Sequence, residues 1–207
     1  PRKRLSANAI RDTALFSSGL LAGQIGGPSV KPYMPPGIWA SISNSKYKRD
    51  KGDKLYRRSL YTYWRRTLPP PTLMTFNAAA RETCIVRVDH TTTPLQALAS
   101  MNNIAFVEAA RFLAERVLRA KGLKHPERIE RAFRLVVSRA PRPEESRILM
   151  ADLRYYLQEF KGKPATAKRL LAVGEKPHGK TVNPVQLAAY TLIANTIFNL
   201  DEAISQN

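Results

Sequence analysis

The stretch that decides the fold class is TPLQALASMNNIAFVEAARFLAERVLRAKG, residues 93–122. Thr93 can cap a helix whose first position is Pro94, where proline is well tolerated. Gly122 can end the run in the left-handed conformation that helix termini favour. The two adjacent asparagines at 102–103 offer a break that would divide the run in two. Residues 93–122 therefore predict one long helix or two shorter ones.

Five further segments carry helix signals. Pro143–Phe160 begins with Pro-Glu-Glu, which places proline and acidic residues in the first turn, where the helix dipole favours them. Pro126–Ser138 has its apolar residues on one face. The remaining predicted helices are Leu5–Leu21, Ala165–Val173 and Pro184–Leu200. Together these segments predict a mainly α fold, a bundle of about six helices.

The N-terminal half differs in composition from the rest of the chain. We predict a single domain over residues 1–207, in which a basic, Pro- and aromatic-rich, irregular subregion (1–93) packs on the helical bundle (94–207). Ala22–Gly37 is rich in Gly and Pro and predicts an irregular loop. Ser41–Asp53 is polar and crowded with lysines, which predicts an exposed basic loop.

Leu55–Thr67 is ambiguous, because its side chains alternate in a strand-like way while no breaker excludes a helix. Aromatic enrichment favours a strand, with which Cys84–Val88 could pair as a short β-ribbon. The proline triplet at 69–71 stops regular structure, so Pro69–Asn77 is expected to be extended.

The charge balance restricts the classes of partner. The 207 residues include 34 Lys and Arg against 16 Asp and Glu, a net charge of +18. Such a field favours polyanions: nucleic acid, acidic glycans, anionic lipid headgroups or an acidic protein. Nucleic acid is the less favoured partner, since no helix-turn-helix, zinc-finger or RNP signature is present. No apolar run is long enough to span a bilayer.

The candidate anion-binding residues lie in LYRRSLYTYWRR, residues 55–66, where two arginine pairs bracket aromatic side chains. Guanidinium groups pair with oxyanions and also stack on rings, so this interleaving suits anionic or planar partners. The candidates are Arg57, Arg58, Tyr61, Tyr63, Trp64, Arg65 and Arg66.

The densest polar cluster follows in RETCIVRVDH, residues 81–90. The catalytic candidates in it are Arg81, Glu82, Cys84, Arg87, Asp89 and His90. A Cys–His nucleophilic pair is conceivable, but no third orienting group or oxyanion loop is identifiable. The favoured alternative is an Arg–carboxylate network that ties the two halves of the chain together.

One cysteine and three histidines leave little room for metal or haem chemistry. The histidines lack metal-ligand spacing, and a Cys/His zinc site cannot be assembled from one cysteine, so we predict no metal site. No covalent haem motif is present, and no cofactor is expected within this chain. Cys84 is expected to be a small buried hydrophobe.

An ordered series of segments carries a family resemblance: IRDTALFSSGLL, IGGPSVKPYMPPGIW, DKLYRRSLYTYWRRTLPPPTLMTFNAAARETCIVR, TTTPLQALASMNN, FRLVVSRAPRPEE and IANTIFNLDE. The series resembles the uncharacterised C-terminal domain of large secreted cytochrome c-like proteins of planctomycetes and verrucomicrobia. The resemblance implies a periplasmic or extracytoplasmic location and an origin in a longer chain. It also implies sister domains as partners, a haem-binding module elsewhere in that chain, and no known reaction.

Three positions depart from the pattern of that family. Asn77 and Asn103 stand where the family tends to have Asp, and Thr92 stands where it tends to have Asn. Two positions that could supply carboxylates therefore carry amides, which weakens an acid–base or metal role there.

Three functional hypotheses follow, and whether the chain is an enzyme is left open. The first is a non-catalytic accessory domain that packs on sister domains and docks acidic polysaccharide. The second is a hydrolase acting on polysaccharide, which predicts that the cluster at residues 81–90 lines one concave pocket. The third is non-specific nucleic-acid binding, which is motivated by charge alone.

Overall fold

The computed structural model describes residues 3–41, 46–88, 91–179 and 181–206. Within these residues the chain is mainly helical, and the predicted helical bundle is confirmed. The α-helices are α1 (Ala7–Ser18), α2 (Pro71–Thr75), α3 (Pro94–Asn102), α4 (Ile104–Leu118), α5 (His125–Val137), α6 (Pro143–Gly162), α7 (Pro164–Leu171) and α8 (Pro184–Phe198). A short antiparallel sheet of β1 (Lys3–Arg4) and β2 (Ser205–Gln206) brings the two ends of the described chain together.

Helices α4 and α8 form the centre of the bundle. Leu113 and Val117 on α4, and Leu187, Ile193 and Ile197 on α8, have no exposed surface. A helix that is apolar on nearly every side needs other elements around it, and α1, α5, α6 and α7 supply that cover. Across the described ranges, no helix combines the length and apolar character that a bilayer span requires.

The predicted break at the asparagine pair is confirmed, and it separates α3 from α4. Asn103 ends α3 and caps α4, since its side-chain oxygen accepts from the backbone N–H of Ala105 at 2.9 Å. Thr93 caps α3 with a capping box, in which Gln96 accepts back from the Thr93 N–H at 3.1 Å. Local side-chain chemistry therefore sets the start and end of α3.

Three expectations for the N-terminal half are wrong. Leu55–Thr67 contains the end of one 3₁₀ helix (Gly52–Tyr56) and a second one (Ser59–Tyr61) rather than a strand, Cys84–Val88 forms no strand, and Pro69–Asn77 contains α2. Pro71 stands at the first position of α2, where the missing N–H of proline costs nothing. The proline triplet therefore starts a short helix instead of excluding one.

Side chains of α1 explain why residues 55–59 are not a strand. The Arg11 guanidinium, 7% exposed, donates to the carbonyl oxygen of Leu55 at 2.7 Å. The Asp12 carboxylate accepts from the backbone N–H and the hydroxyl of Ser59, both at 2.7 Å. These bonds satisfy backbone groups that would otherwise need a strand partner. A charged pair on a helix thus determines the path of an irregular segment.

The buried carboxylate of Glu108 on α4 joins the N-terminal half to the bundle. The Glu108 side chain is 1% exposed. Its Oε2 accepts from the Tyr33 hydroxyl at 2.8 Å, and its Oε1 accepts from the Tyr56 hydroxyl at 2.9 Å. Oε1 also accepts from the backbone N–H groups of Glu175 and Lys176, each at 2.9 Å. Burial, followed by the Glu108 charge, raises the pKa of Tyr56 above its ordinary value.

Arg111, one turn along α4, completes this buried network. Its Nη2 lies 3.6 Å from Glu108 Oε1 and donates to the carbonyl oxygens of Lys176 at 2.6 Å and Val173 at 3.3 Å. The loop at 173–176 therefore gives N–H groups to the carboxylate and carbonyl groups to the guanidinium. Gly174 has φ +94°, and a Cβ there would collide with the Glu108 side chain.

Replacing Glu108 by Gln is expected to destabilise the fold by about 1.5–3 kcal/mol, because hydrogen bonds to a charged acceptor become bonds to a neutral amide. Urea-induced unfolding at neutral pH measures the change. The matched control is Glu159→Gln, because Glu159 pairs with Lys163 on the surface of α6 and should change stability far less. Equal losses in the two variants would contradict the role assigned to Glu108.

A second ionic contact clamps the end of α5 to the C-terminal segment. Arg139 binds both oxygens of Glu145, at 2.8 and 2.7 Å, and Glu202 Oε2 at 2.7 Å. These hydrogen bonds are the main reason that the pKa of Glu145 falls to about 2.

The Glu145 pair predicts a pH dependence of stability. Its folded-state pKa lies below the ordinary value of 4.5, so its stabilising effect is present above that value and is lost as the pH falls toward about 2. The free-energy difference between wild type and Glu145→Gln is therefore expected to be full at about pH 6 and to vanish near pH 2. Unfolding curves across this range measure it. A pH-independent difference would contradict the assignment.

Candidate functional site

A groove of about 410 Å³ lies between the start of α1 and the segment that follows α2. Its walls come from residues 6–8, Trp64, residues 76–79, Arg81 and Val88. A wider depression of about 630 Å³ lies beside the terminal sheet, but there the Arg139 guanidinium is already paired with two carboxylates. The groove is therefore the candidate functional site.

Trp64 and Arg81 form a stacked pair at the groove. The indole Nε1 donates to the carbonyl oxygen of Ala80 at 3.0 Å, which fixes the plane of the Trp64 ring. The Arg81 guanidinium lies 4.4 Å from the centroid of that ring. Its side chain is exposed, and the described residues offer its N–H groups neither a carboxylate nor a hydrogen-bond acceptor. Stacking thus orients the guanidinium while its in-plane donors stay available.

Two residues of the groove have a left-handed backbone. Asn77 has φ +62° and Arg81 has φ +64°, a region that costs residues with a Cβ about 1–2 kcal/mol. The Asn77 amide compensates by donating to Thr91 Oγ1 at 2.6 Å and accepting from Gln96 Nε2 at 3.4 Å. The chain is therefore held in an uncommon shape where it lines the groove, which is a frequent property of functional sites.

The predicted catalytic cluster is not brought together within the described residues. Arg81 lines the groove, whereas Glu82, Cys84 and Arg87 are exposed and do not. Asp89 and His90 lie outside the described residues. The prediction that Cys84 is buried is wrong: its thiol is free and exposed, because residues 81–87 run as an exposed loop. Groups of His, Cys, Asp and Glu able to hold a metal ion are absent from the described part of the chain.

Arg57, one of the predicted anion-binding residues, is an internal ligand of the fold. Its residue is 3% exposed. Its Nη1 donates to Pro28 O at 2.8 Å and its Nη2 to the carbonyl oxygen of Gly26. The guanidinium also lies 3.8 Å from the centroid of the Tyr61 ring. Arg57 and Tyr61 therefore fix the glycine-rich loop in place, and they do not form an exposed anion-binding surface.

The other predicted anion-binding residues divide between the two sides of an extended segment. Tyr63 and Arg65 face Trp39, with the Arg65 guanidinium 5.0 Å from the Trp39 ring centroid. Arg58 and Arg66 are exposed, and Arg58 Nε lies 3.9 Å from an Asp12 oxygen. Trp64 is the member of this set that lines the groove.

Sequence reasoning missed the remaining groove residues. Ser6 and Asn8 come from the first turn of α1, far along the chain from Phe76 and Asn77. No local signal links these segments, because α2 and the left-handed turn at Asn77 bring them together. The sequence did mark Asn77, since it stands where the resembled family tends to have Asp.

Comparison with protein families gives a match to most of the chain. The family model described as a protein of unknown function (DUF1553) matches residues 1–153. The chain belongs to the DUF1553 family. The matched range contains every residue of the groove and ends within α6. The expected resemblance to an uncharacterised domain is confirmed. No curated protein and no solved structure matches the DUF1553 chain.

The left-handed turn at Asn77 predicts that glycine is more stable than alanine at this position, which reverses the usual order of these two residues. Asn77→Ala and Asn77→Gly both remove the amide, but alanine keeps the steric penalty of a positive φ. We expect Asn77→Ala to be less stable than Asn77→Gly by about 0.5–1 kcal/mol. Denaturant unfolding of the two variants measures the difference. The opposite order, with Ala the more stable, would mean that the turn relaxes without cost.

Proposed function

We propose that the DUF1553 chain is a non-catalytic interaction domain that docks acidic polysaccharide in the groove of Trp64 and Arg81. The observation that carries the proposal is the guanidinium of Arg81, stacked at 4.4 Å on a tryptophan that is itself fixed by a hydrogen bond. A stacked guanidinium with unused N–H groups suits a planar carboxylate, which it can bind with two parallel hydrogen bonds.

The composition of the groove suits a sugar ring. Sugar rings present C–H groups on a face and hydroxyl groups at the edge, so they need an aromatic surface together with polar side chains. Trp64 supplies aromatic surface, while Ser6 and Asn8 supply a hydroxyl and an amide group. A volume of about 410 Å³ lies within the ordinary range of ligand sites.

The surface charge supports an anionic rather than a neutral polymer. Residues 46–66 carry a series of exposed cations: Lys46, Lys48, Lys51, Lys54, Arg58 and Arg66. Together with the net charge of +18, they would raise the local concentration of a polyanion and its rate of association. The stacked Arg81 in the groove then selects which sugar residue of the polymer binds there.

The family resemblance extends the proposal to the setting of the chain. We place it in the periplasm or another extracytoplasmic compartment, as one part of a longer cytochrome c-like protein of planctomycete type. A haem module would lie elsewhere in that protein, and sister domains would be further partners. In this setting the chain would hold the longer protein against an acidic matrix.

A polysaccharide hydrolase is the second candidate, and the groove favours it less. Glycoside hydrolysis usually needs two carboxyl groups at a defined separation. The described lining residues of the groove include no carboxylate. Non-specific nucleic-acid binding rests on charge alone.

Binding of alginate, a polyuronate, tests the proposal. Wild type should bind it in an assay such as biolayer interferometry, and Trp64→Ala should bind about tenfold or more weakly, because stacking and the orientation of Arg81 are both lost. The matched control is Arg66→Met, which removes an exposed charge outside the groove and should change affinity far less. Dextran, a neutral polymer, should not bind.

Three outcomes would contradict the proposal. Equal binding by wild type and Trp64→Ala would mean that net charge alone attracts the polymer. Release of new reducing ends from alginate would favour the hydrolase. Tighter binding to single- or double-stranded DNA than to alginate at physiological salt would favour the nucleic-acid hypothesis.

A further inference from the structure

Helix α3 buries polar residues and exposes large apolar ones. Gln96 and Ser100 are 2% and 3% exposed. Leu95, Leu98 and Met101, in contrast, are 63%, 58% and 45% exposed. A helix on the surface of a bundle normally buries its apolar stripe and exposes its polar side. Among the described residues, the outward face of α3 therefore lacks the cover that an apolar stripe usually has.

Hydrogen bonds fix this orientation of α3. The Gln96 side chain accepts from the Thr93 N–H in the capping box, and its Nε2 donates to Asn77 Oδ1 at 3.4 Å. The Ser100 hydroxyl donates to Asn199 Oδ1 at 2.7 Å. Rotation of α3 about its axis would break these bonds and leave buried polar groups without partners, which is costly. The leucines of α3 therefore stay on the outward side.

The outward side chains form a patch rather than a scatter of single residues. Among the described residues, four of the eleven exposed large hydrophobic side chains lie between positions 95 and 104: Leu95, Leu98, Met101 and Ile104. A spacing of three places successive residues on neighbouring turns of the same side of a helix. Their exposed surface is on the order of 400 Å², a size at which a patch on a monomer is often functional.

The patch lies in an uncharged segment of a strongly charged chain. Residues 91–107 contain no Asp, Glu, Lys or Arg, although 24% of the chain is charged and its net charge is +18. A polyanion would find no cation on this segment. A helix that lies on a membrane surface usually carries Lys or Arg beside its apolar face. Both kinds of partner therefore suit the cation-rich segments of the chain better than α3.

A second copy of the chain fits an uncharged apolar face. In a two-fold dimer the same patch of each subunit meets itself, so a residue near the axis lies opposite its own counterpart. A charged residue there would meet a like charge, and an uncharged face avoids that repulsion. Two such faces with their rims would bury on the order of 1,000 Å² in total, the area of a weak, transient interface.

We propose that the outward face of α3 is the contact surface of a weak homodimer, in which Leu95, Leu98 and Met101 of one copy pack against the same residues of the other. Because the area lies at the low end of specific interfaces, we expect a Kd on the order of 10–100 μM. The exposed Asn102 on the same helix contributes to the polar rim of the contact. The dimer does not depend on the ligand proposed for the groove.

Sedimentation equilibrium from about 5 to about 500 μM protein, a range that spans this Kd, tests the proposal. Wild type should pass reversibly from monomer to dimer as its concentration rises. Higher salt should favour the dimer, because it screens the repulsion between two chains of net charge +18. Leu98→Glu should weaken dimerisation about tenfold or more, because it places two carboxylates opposite each other at the contact.

The matched control is Ile148→Glu on α6. Ile148 is 57% exposed, almost the same as Leu98, and the substitution makes the same change in net charge. Dimerisation of this variant should equal that of wild type. Both positions are exposed, so both variants should keep the helical circular dichroism of wild type. If Leu98→Glu loses it, Leu95→Glu, at a position that is 63% exposed, takes its place.

Three results would overturn the proposal. A wild-type chain that stays monomeric over the whole concentration range would mean that the face of α3 has a different partner. Equal weakening of dimerisation by Leu98→Glu and Ile148→Glu would place the contact elsewhere. Binding to phosphatidylglycerol vesicles that Leu98→Glu loses and Ile148→Glu retains would make this face a lipid contact instead.

Discussion

The buried carboxylate of Glu108 is the interaction on which the arrangement of the chain depends. Its two oxygens receive the hydroxyls of Tyr33 and Tyr56 from the N-terminal half and the N–H groups of Glu175 and Lys176 from the loop before α8. The N-terminal segment that carries the two tyrosines and the loop before α8 both have little regular structure of their own. Because hydrogen bonds offset the cost of burying a carboxylate, the position of Glu108 on α4 favours one placement of each segment that supplies them.

Arginine side chains perform the same task elsewhere in the chain. Arg11, Arg57, Arg111 and Arg116 each donate to backbone carbonyl groups far away in sequence. An irregular segment has carbonyl groups without helix or sheet partners, and a guanidinium can donate to several of them at once. Part of the basic excess of this chain is therefore internal structure. Composition alone would assign all of it to a polyanion.

At the groove, a buried arginine that stabilises the fold lies in the same part of the chain as an exposed arginine that is available to a ligand. Arg57 and Tyr61 secure the glycine-rich loop, so that Trp64 stands in a defined extended segment and the Ala80 carbonyl fixes its ring. Arg81 then stacks on Trp64 with its donors unused. Arg57 and Arg81 thus have different roles, one in the interior and one at the surface. Arg57 donates to the carbonyl groups of Pro28 and Gly26, whereas the described residues give Arg81 no acceptor.

Sequence by itself determined the helical part of this protein. The proline, threonine and asparagine signals around 93–103 are local, and caps of this kind form from neighbouring residues, so α3, α4 and the break between them were predictable. The charge excess and the arginine–aromatic run were equally evident. That run named Trp64, and the polar cluster at residues 81–90 named Arg81, but neither pattern related the two residues to each other. Tertiary structure decided the rest: the turns at residues 55–61, the helix after the proline triplet, the exposure of Cys84 and the groove itself. Each of these depends on contacts between residues distant in sequence, such as Arg11 with Leu55 and Glu108 with Tyr56, and no local pattern encodes which partner a buried charge will find.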